Sequence, residues 1–312
     1  MRKRLFLPEP IYRGRFAPSP TGPLHFGSLA VAVGSYLDAR KHHGAWLVRM
    51  EDLDVPRCMP GAADAILRTL EAYGLHWDEA VIYQSQRTAA YEDALDKLKT
   101  AGVVYPCCCT RKEIADSALH GIEGPVYPGT CRNGIPSKKM ARAWRVRADG
   151  AIAFNDCLQG CISQNLENEI GDFVVKRADG LFAYQLAVVV DDAFQNITHV
   201  VRGSDLLAST PRQIHLQQLL GLPPLAYMHL PIAVNGRGEK LSKQTLAPAI
   251  TTEHIAATLV SVLHFLKQQP PSELRAGSAK EILNWATANW QPEQMKGCRQ
   301  IPALGHEHAC LL

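Results

Sequence analysis

An α/β protein built on a parallel sheet is the fold class this 312-residue sequence predicts, and three observations predict it. First, Ile11-Tyr12-Arg13-Gly14 opens a short strand, Leu29, Val33, Tyr36 and Leu37 recur at helical spacing up to Gly44, and AWLVRM (45–50) reads as a largely buried strand. Strand, helix, strand in that succession is the unit of a parallel sheet, whose ligands gather beyond the carboxyl ends of the strands. Second, DFVVK (172–176), LAVVV (186–190) and THVVRG (198–203) read as further buried strands. Tyr184 leads into the second of these, and Asp191, Asp192 and Arg202 fall at the same edge. Third, a chain of this length that is 46% hydrophobic can bury a sizeable core and is expected to divide into two domains.

Two stretches at that edge carry the chemistry. RFAPSPTGPLHFGS (15–28) reads as a strand, a turn rich in Pro and Gly, and the start of a helix. That geometry collects unpaired backbone N–H groups and the positive end of a helix dipole, so it suits an anion such as a nucleotide phosphate. His25 adds a hydrogen-bonding side chain, and Gly27 lets a ligand approach the backbone. NGRGEKLSKQ (235–244) is a glycine-bearing loop ending in Lys240 and Lys243 around Ser242. Lysines on a mobile loop can close over a triphosphate and neutralise the charge that builds up as pyrophosphate leaves.

The remaining elements follow in order. Glu51, Asp52 and Asp54 form an acidic cluster after the 45–50 strand. Ile66, Leu67, Leu70 and Tyr73 make one apolar helical stripe, and Tyr91, Leu95 and Leu98 make another before Gly102, both read as core supports. Cys107 and Cys109, with Tyr127 and Cys131, pair a Cys-x-Cys arm with a Tyr-x3-Cys arm that can surround a tetrahedral zinc. The spacing leaves alternatives open: Cys108 for a neighbour, and His120 or Glu123 for Tyr127. Arg132, Lys138, Lys139, Arg142, Arg145 and Arg147 place six positive charges within 16 residues. Over AWRVR (143–147) the arginines share one face of a strand, a row suited to RNA phosphates. From Asp149 to Gly171 the sequence is polar and uninformative. Thr210-Pro211 opens a helix ending at Gly221, a helix spans about 252–267, Pro270-Pro271 breaks the chain, and Ser278 with Glu281 caps a last helix.

Composition sets the outer bounds. A net charge of +3 means that any nucleic-acid surface is a local patch. MRKRLFLPEP holds too short an apolar run for a signal peptide, and no stretch approaches the ~18 apolar residues that span a bilayer. Nine cysteines without an export signal are expected as reduced thiols or metal ligands, and a cytoplasmic protein with no membrane partner is expected.

HFGS and KLSKQ, in this order and about 215 residues apart, resemble the two signatures of class I aminoacyl-tRNA synthetases, usually His-Ile-Gly-His and Lys-Met-Ser-Lys-Ser. With WLVRMEDLD, the cysteine/tyrosine set and THVVRGSDLLASTPRQ, they resemble glutamyl-tRNA synthetases from residue 11 to about 245, and RFAPSP looks like the glutamyl version of the first motif. Only 69 residues follow Lys243, too few for that enzyme's anticodon-binding domain. A catalytic half alone resembles the family of glutamyl-queuosine tRNA(Asp) synthetases, which attach glutamate to the queuosine base in the tRNA(Asp) anticodon.

The resemblance implies a Rossmann-like catalytic domain in two parts, 11–104 and 172–246. It implies an inserted acceptor-binding subdomain at 105–171 with one structural zinc, and a short helical C-terminal region at 247–312. It implies ATP with magnesium, held by His25, Gly27, Lys240 and Lys243, which are also the catalytic residues. L-Glutamate would lie along Arg15, Phe16, Ala17, Pro18 and Ser19, with Arg15 and Arg202 clamping carboxylates, Glu51 taking the α-ammonium and Tyr184 closing one side. Of the fourth signature position, Ser28, only its own contact is in question. The acceptor would be queuosine-containing tRNA(Asp), and a monomer is expected. The rival readings are an ordinary synthetase charging the 3′ end of tRNA(Glu), and an inactive tRNA- or zinc-binding paralogue. Retention of both halves of an ATP clamp argues against the second.

Overall fold

A computed structural model of the chain describes residues 11–115, 120–121, 124–241 and 248–303, with backbone only at 120–121 and 124–125. The first strand-helix-strand unit is β1 (Arg13–Phe16), α1 (Phe26–Lys41) and β2 (Ala45–Met50). It continues through α2 (Ala62–Ala72), β3 (Ile82–Tyr83), α3 (Thr88–Thr100) and β4 (Val104–Cys107). A region of short elements follows: α4 (Arg111–Ala115), β5 (His120–Gly121), β6 (Gly124–Pro125), β7 (Ala143–Val146), β8 (Ala151–Asp156), β9 (Gly160–Asn165), α5 (Leu166–Glu169) and β10 (Phe173–Lys176). The chain then forms α6 (Tyr184–Phe194), β11 (His199–Gly203), α7 (Thr210–Leu219), β12 (Ala226–Leu230) and β13 (Ile232–Val234). The last described elements are α8 (Ile255–Phe265), α9 (Ala279–Ala288) and β14 (Gln300–Pro302).

Strands β1, β2 and β3 pair in parallel. β11, β12 and β8 also pair in parallel, with β9 antiparallel at the edge. The Thr198 N–H donates to Arg13 O at 3.0 Å, which sets the second sheet beside β1. Helix α1 lies at the centre. Its residues Leu29, Ala32, Val33 and Leu37 are fully buried, and no polar face remains, as expected of a helix covered on all sides. At Gly34 a Cβ would stand 2.6 Å from Leu230 Cδ1, so glycine lets α1 approach β12. The other side of α1 is covered by α8 and α9, whose Leu259, Leu263 and Ile282 belong to the same core, as does Trp290 just beyond α9. Trp290 Nε1 and the Tyr12 hydroxyl both donate to Asp38, tying the C-terminal residues to the first unit.

Three expectations change. Residues 186–190 form helix α6 rather than a strand. A continuous apolar run does not separate a buried strand from a buried helix, and the uninterrupted run from Tyr184 to Phe194 gives helical length. Residues 149–171 hold the β8–β9 hairpin, with paired residues from Ala151↔Asn165 to Asp156↔Gly160. The arginine row is engaged internally. Arg132 pairs with Asp172, Arg145 donates to Asp172 O and Cys107 Sγ, and Arg147 donates to Arg132 O. Lys138 and Arg142 remain exposed, whereas Lys139 pairs with Glu113 at 2.6 Å. Among the described residues, no helix is long and apolar enough to cross a membrane.

Candidate active site

The site begins at the N-terminus of α1. His25 is the N-cap, with its Nδ1 accepting from Ser28 N–H at 3.3 Å, while Ser28 Oγ accepts from the His25 N–H at 2.8 Å. Ser28 therefore closes a reciprocal cap, which fixes the imidazole and satisfies two end-of-helix donors. With Nδ1 acting as acceptor, a neutral ring carries its proton on Nε2. A Cβ at Gly27 would meet the His25 ring at 3.3 Å, so the small residue leaves the ring its place. A cavity of about 790 Å³ opens here, lined by Phe16, Ala17, Pro18, Ser19, His25, Gly27, Glu51, Tyr184 and Lys240. Nine expected site residues thus share one wall. Lys240 Nζ pairs with Asp205 at 2.6 Å. Lys243 lies outside the described residues.

Behind this wall is a buried charge network. Arg15 engages Asp192 through Nε (3.0 Å) and Nη2 (3.3 Å), and Arg49 reaches Asp192 at 2.8 Å and Glu51 at 3.6 Å. The bidentate edge of Arg15, expected to grip a substrate carboxylate, is thus engaged by Asp192. Burial pushes the Asp192 carboxyl up, but the two arginines outweigh it and hold its pKa below the usual range. Glu51 is raised to about 6, mainly by burial, although Arg49 and Arg15 pull it down. Burial also raises Tyr184, with the Glu51 charge adding to the effect. Arg202 influences both Glu51 and Tyr184, so these groups share one electrostatic environment. It makes no ion pair among the described residues, and its Nη1 is buried without a hydrogen-bond partner. A buried unsatisfied donor costs about 1–3 kcal/mol, and Arg49 Nε and Nη2 are left in the same way, so this side of the site holds several donors that a ligand acceptor would satisfy.

A second cavity of about 680 Å³ shares Ser19, Glu51, Arg57 and Tyr184 with the first and extends to Cys109, Thr110, Arg111 and Arg142. Asp54 accepts from Arg57 and Arg177 at its rim.

The cysteine set converges at the far end. Ligand atoms of Cys107, Cys109 and Cys131 lie within 4.8 Å of one another, and the Tyr127 hydroxyl is 3.3 Å from Cys107 Sγ and 3.6 Å from Cys109 Sγ. Burial raises Cys109 to about 11. Burial also pushes Cys131 up, but hydrogen bonds from the Cys108 backbone and Tyr127 bring it down to about 7. Four such groups crowded together can all ionise only around a cation, so the donor set fits zinc. Cys108 Sγ is 3.6 Å from Cys131 Sγ and stays a neighbour of the group. Glu123 lies outside the described residues, as does the His120 side chain.

Residues 12–261 match the family of tRNA synthetases class I (E and Q), catalytic domain. The chain belongs to that family. Its α/β sheet is the class I synthetase fold. Among curated relatives it is similar to the Glutamyl-Q tRNA(Asp) synthetase of Dechloromonas aromatica (strain RCB), with 63% identity over 282 residues, covering 89% of this chain and 94% of that one. It is 56% identical to the enzyme of that name from Chromobacterium violaceum, covering 94% and 98% of the two chains. Among solved structures, it resembles the glutamate-tRNA synthetase of Elizabethkingia anophelis with a TM-score of 0.75 at 23% identity, a likeness of fold that covers 94% of this chain and 68% of that one.

Arg49, Asp156, Asp192, Asp205 and His229 take part in the site or its support without a functional assignment from sequence. One signal was available: Arg49 is a lone charge inside an apolar strand, AWLVRM, and such a charge needs a buried partner.

Proposed function

We propose that this chain activates L-glutamate with ATP to give glutamyl-adenylate and pyrophosphate, then transfers the glutamyl group to the queuosine base in the anticodon of tRNA(Asp). The observation that carries this reading is the 63% identity to a Glutamyl-Q tRNA(Asp) synthetase over 94% of that chain. The site chemistry agrees. ATP lies between the N-terminus of α1 and the lysine loop, where His25 Nε2–H and Lys240 meet phosphate oxygens. The glutamate α-carboxylate attacks the α-phosphorus, and pyrophosphate leaves against Lys240 and Lys243. Magnesium bound with ATP supplies further neutralisation of phosphate charge. Arg202, through its unspent Nη1, takes a substrate carboxylate, Glu51 takes the α-ammonium, and Tyr184 closes the pocket. No covalent enzyme intermediate is needed, so positioning and charge stabilisation carry the catalysis.

The second cavity receives the acceptor nucleoside, whose hydroxyl attacks the adenylate carbonyl beside Glu51 and Tyr184, breaking the acyl–phosphate bond and giving its proton to the AMP that leaves. An extruded base needs a pocket next to the reacting atom, and this cavity adjoins the first through shared residues. The test is ATP–pyrophosphate exchange with the purified protein. Exchange that requires L-glutamate supports the reading, and exchange that follows another amino acid overturns it. A reaction consuming ATP and tRNA belongs in the cytoplasm.

We also propose a structural zinc held by Cys107, Cys109, Tyr127 and Cys131, pinning the Cys107–Cys109 and Tyr127–Cys131 segments to each other. A closed four-ligand site contributes folding energy, so chelation is expected to loosen this region first. Substoichiometric zinc in purified protein, with unchanged melting after chelation, would contradict the site. A Cys108→Ser variant is expected to keep its metal.

A further inference from the structure

The clamp Arg202 is held by a hydrogen-bonded relay that starts in the β8–β9 hairpin. Arg202 sits on β11 and is 4% exposed. Its Nε donates to His229 Nε2 at 3.1 Å, and its Nη2 donates to Thr210 Oγ1 at 2.8 Å. On the other side of the imidazole, His229 Nδ1 stands 2.6 Å from Asp156 Oδ2. Both His229 and Asp156 side chains are fully buried. Asp156 accepts only, so Nδ1 carries the proton and Nε2 is left as a bare acceptor facing the guanidinium. The other carboxylate oxygen, Oδ1, accepts from the backbone N–H groups of Leu158, Gln159 and His229 at 3.0, 2.9 and 3.3 Å. Gln159 Nε2 donates to His229 O, a second tie between hairpin tip and β12. Burial lowers the His229 pKa and proximity to Arg202 adds to this, although Asp156 pulls it upward, and the net direction agrees with a neutral ring.

We infer that Asp156 and His229 are positioning residues for glutamate: they fix Nε of Arg202 while Thr210 holds Nη2, so that its unpartnered Nη1 is presented to a substrate carboxylate. This rests on the proposed role of Arg202 as a carboxylate clamp. The orientation matters because a guanidinium free to rotate about its stem would offer its donors over a wider range of positions. A misplacement of about 1 Å in such a clamp costs up to roughly 10²-fold.

The informative variant is Asp156→Asn. Three backbone donors hold the Oδ1 position, so the carbonyl of the asparagine must occupy it and the NH₂ must face His229. The imidazole then has to accept at Nδ1 and protonate at Nε2, which removes the acceptor of the Arg202 Nε–H and makes the ring compete with Arg202 Nη2 for Thr210 Oγ1, 3.2 Å from Nε2. In glutamate-dependent ATP–pyrophosphate exchange, the expected result is a rise in the KM for glutamate of about 10- to 100-fold, with the KM for ATP within about twofold of wild type. A general packing defect would move both constants and the melting temperature together. Equal shifts in both KM values, or an unchanged glutamate KM in a folded variant, would overturn the inference. A second measurement is independent of activity: ¹⁵N NMR of histidine-labelled protein, with the His229 signals identified by their loss in His229→Gln. Wild type is expected to be protonated at Nδ1 and bare at Nε2, and Asp156→Asn to show the reverse. A wild-type proton on Nε2 would also overturn it. If wild type shows no glutamate-dependent exchange, the proposed function fails, while the tautomer still decides the relay.

Discussion

On the amino-acid side of the cavity, Arg15 and Arg49 close on Asp192 and Glu51 within the protein itself, all of them buried or nearly so. On the phosphate side, Lys240 has a 45% exposed side chain and is held by Asp205, itself 31% exposed. The contrast separates two tasks. A buried ion-pair network is costly to break, even with Arg49 Nε and Nη2 and Glu51 Oε1 left without hydrogen-bond partners, so it can hold a fixed outline. An exposed pair is worth little, about 0–1 kcal/mol, so Lys240 can leave Asp205 for a phosphate at small cost. In the proposed function, selection is assigned to the first region and charge neutralisation to the second.

The sharpest way to break this division is at the lysine loop. Lys243→Ala is expected to slow adenylate formation by about 10²–10³, equivalent to ~2.7–4 kcal/mol of transition-state stabilisation, while glutamate binding measured by calorimetry survives. Near-normal exchange in that variant would remove Lys243 from the chemistry. Next in size is Arg202→Gln, which withdraws the guanidinium left without an ion pair. A lost hydrogen bond to a charged group is worth about 1.5–3 kcal/mol, so the KM for glutamate is expected to rise about 10- to 100-fold with the KM for ATP unchanged. If the ATP constant rises instead, the two regions are not divided as described.

The smallest effect is one of pH. Glu51 titrates at about 6 in the folded protein and at 4.5 as an ordinary glutamate. It must be ionised to receive an ammonium group, so exchange is expected to fall below about pH 6, and Glu51→Gln to lose that acid limb. The stability linkage has the opposite sense. The folded state keeps a proton that the unfolded chain releases, so this group's contribution favours folding below pH 4.5 and declines as pH rises through about 6. An acid limb that persists unchanged in Glu51→Gln would assign it to another group.

What was legible in the sequence was local. The turn and helix start at 15–28 need only neighbouring residues, and there His25 and Gly27 face a common cavity. The Ser278–Glu281 capping box was legible for the same reason. What escaped depends on contacts far along the chain. Asp156 and His229 are 73 residues apart, and nothing in a polar stretch from 149 to 171 signals that one aspartate pairs beside β12. Arg145 and Arg147 alternate as a surface row would, yet Asp172, Cys107 and Arg132 O engage them from other segments. LAVVV reads as a strand because its residues favour strands, while packing on both faces suits a buried helix equally well.

The central claim, that this site delivers glutamate to a base in an anticodon, is tested most directly by the position of the label. Labelled glutamate, ATP and queuosine-containing tRNA(Asp) would be combined after the 3′-terminal adenosine has been oxidised with periodate. The expected result is full labelling of that tRNA, none of the same tRNA lacking queuosine, and little of tRNA(Glu). Efficient labelling of tRNA(Glu), abolished by the oxidation, would contradict the account and restore an ordinary synthetase acting at the 3′ end.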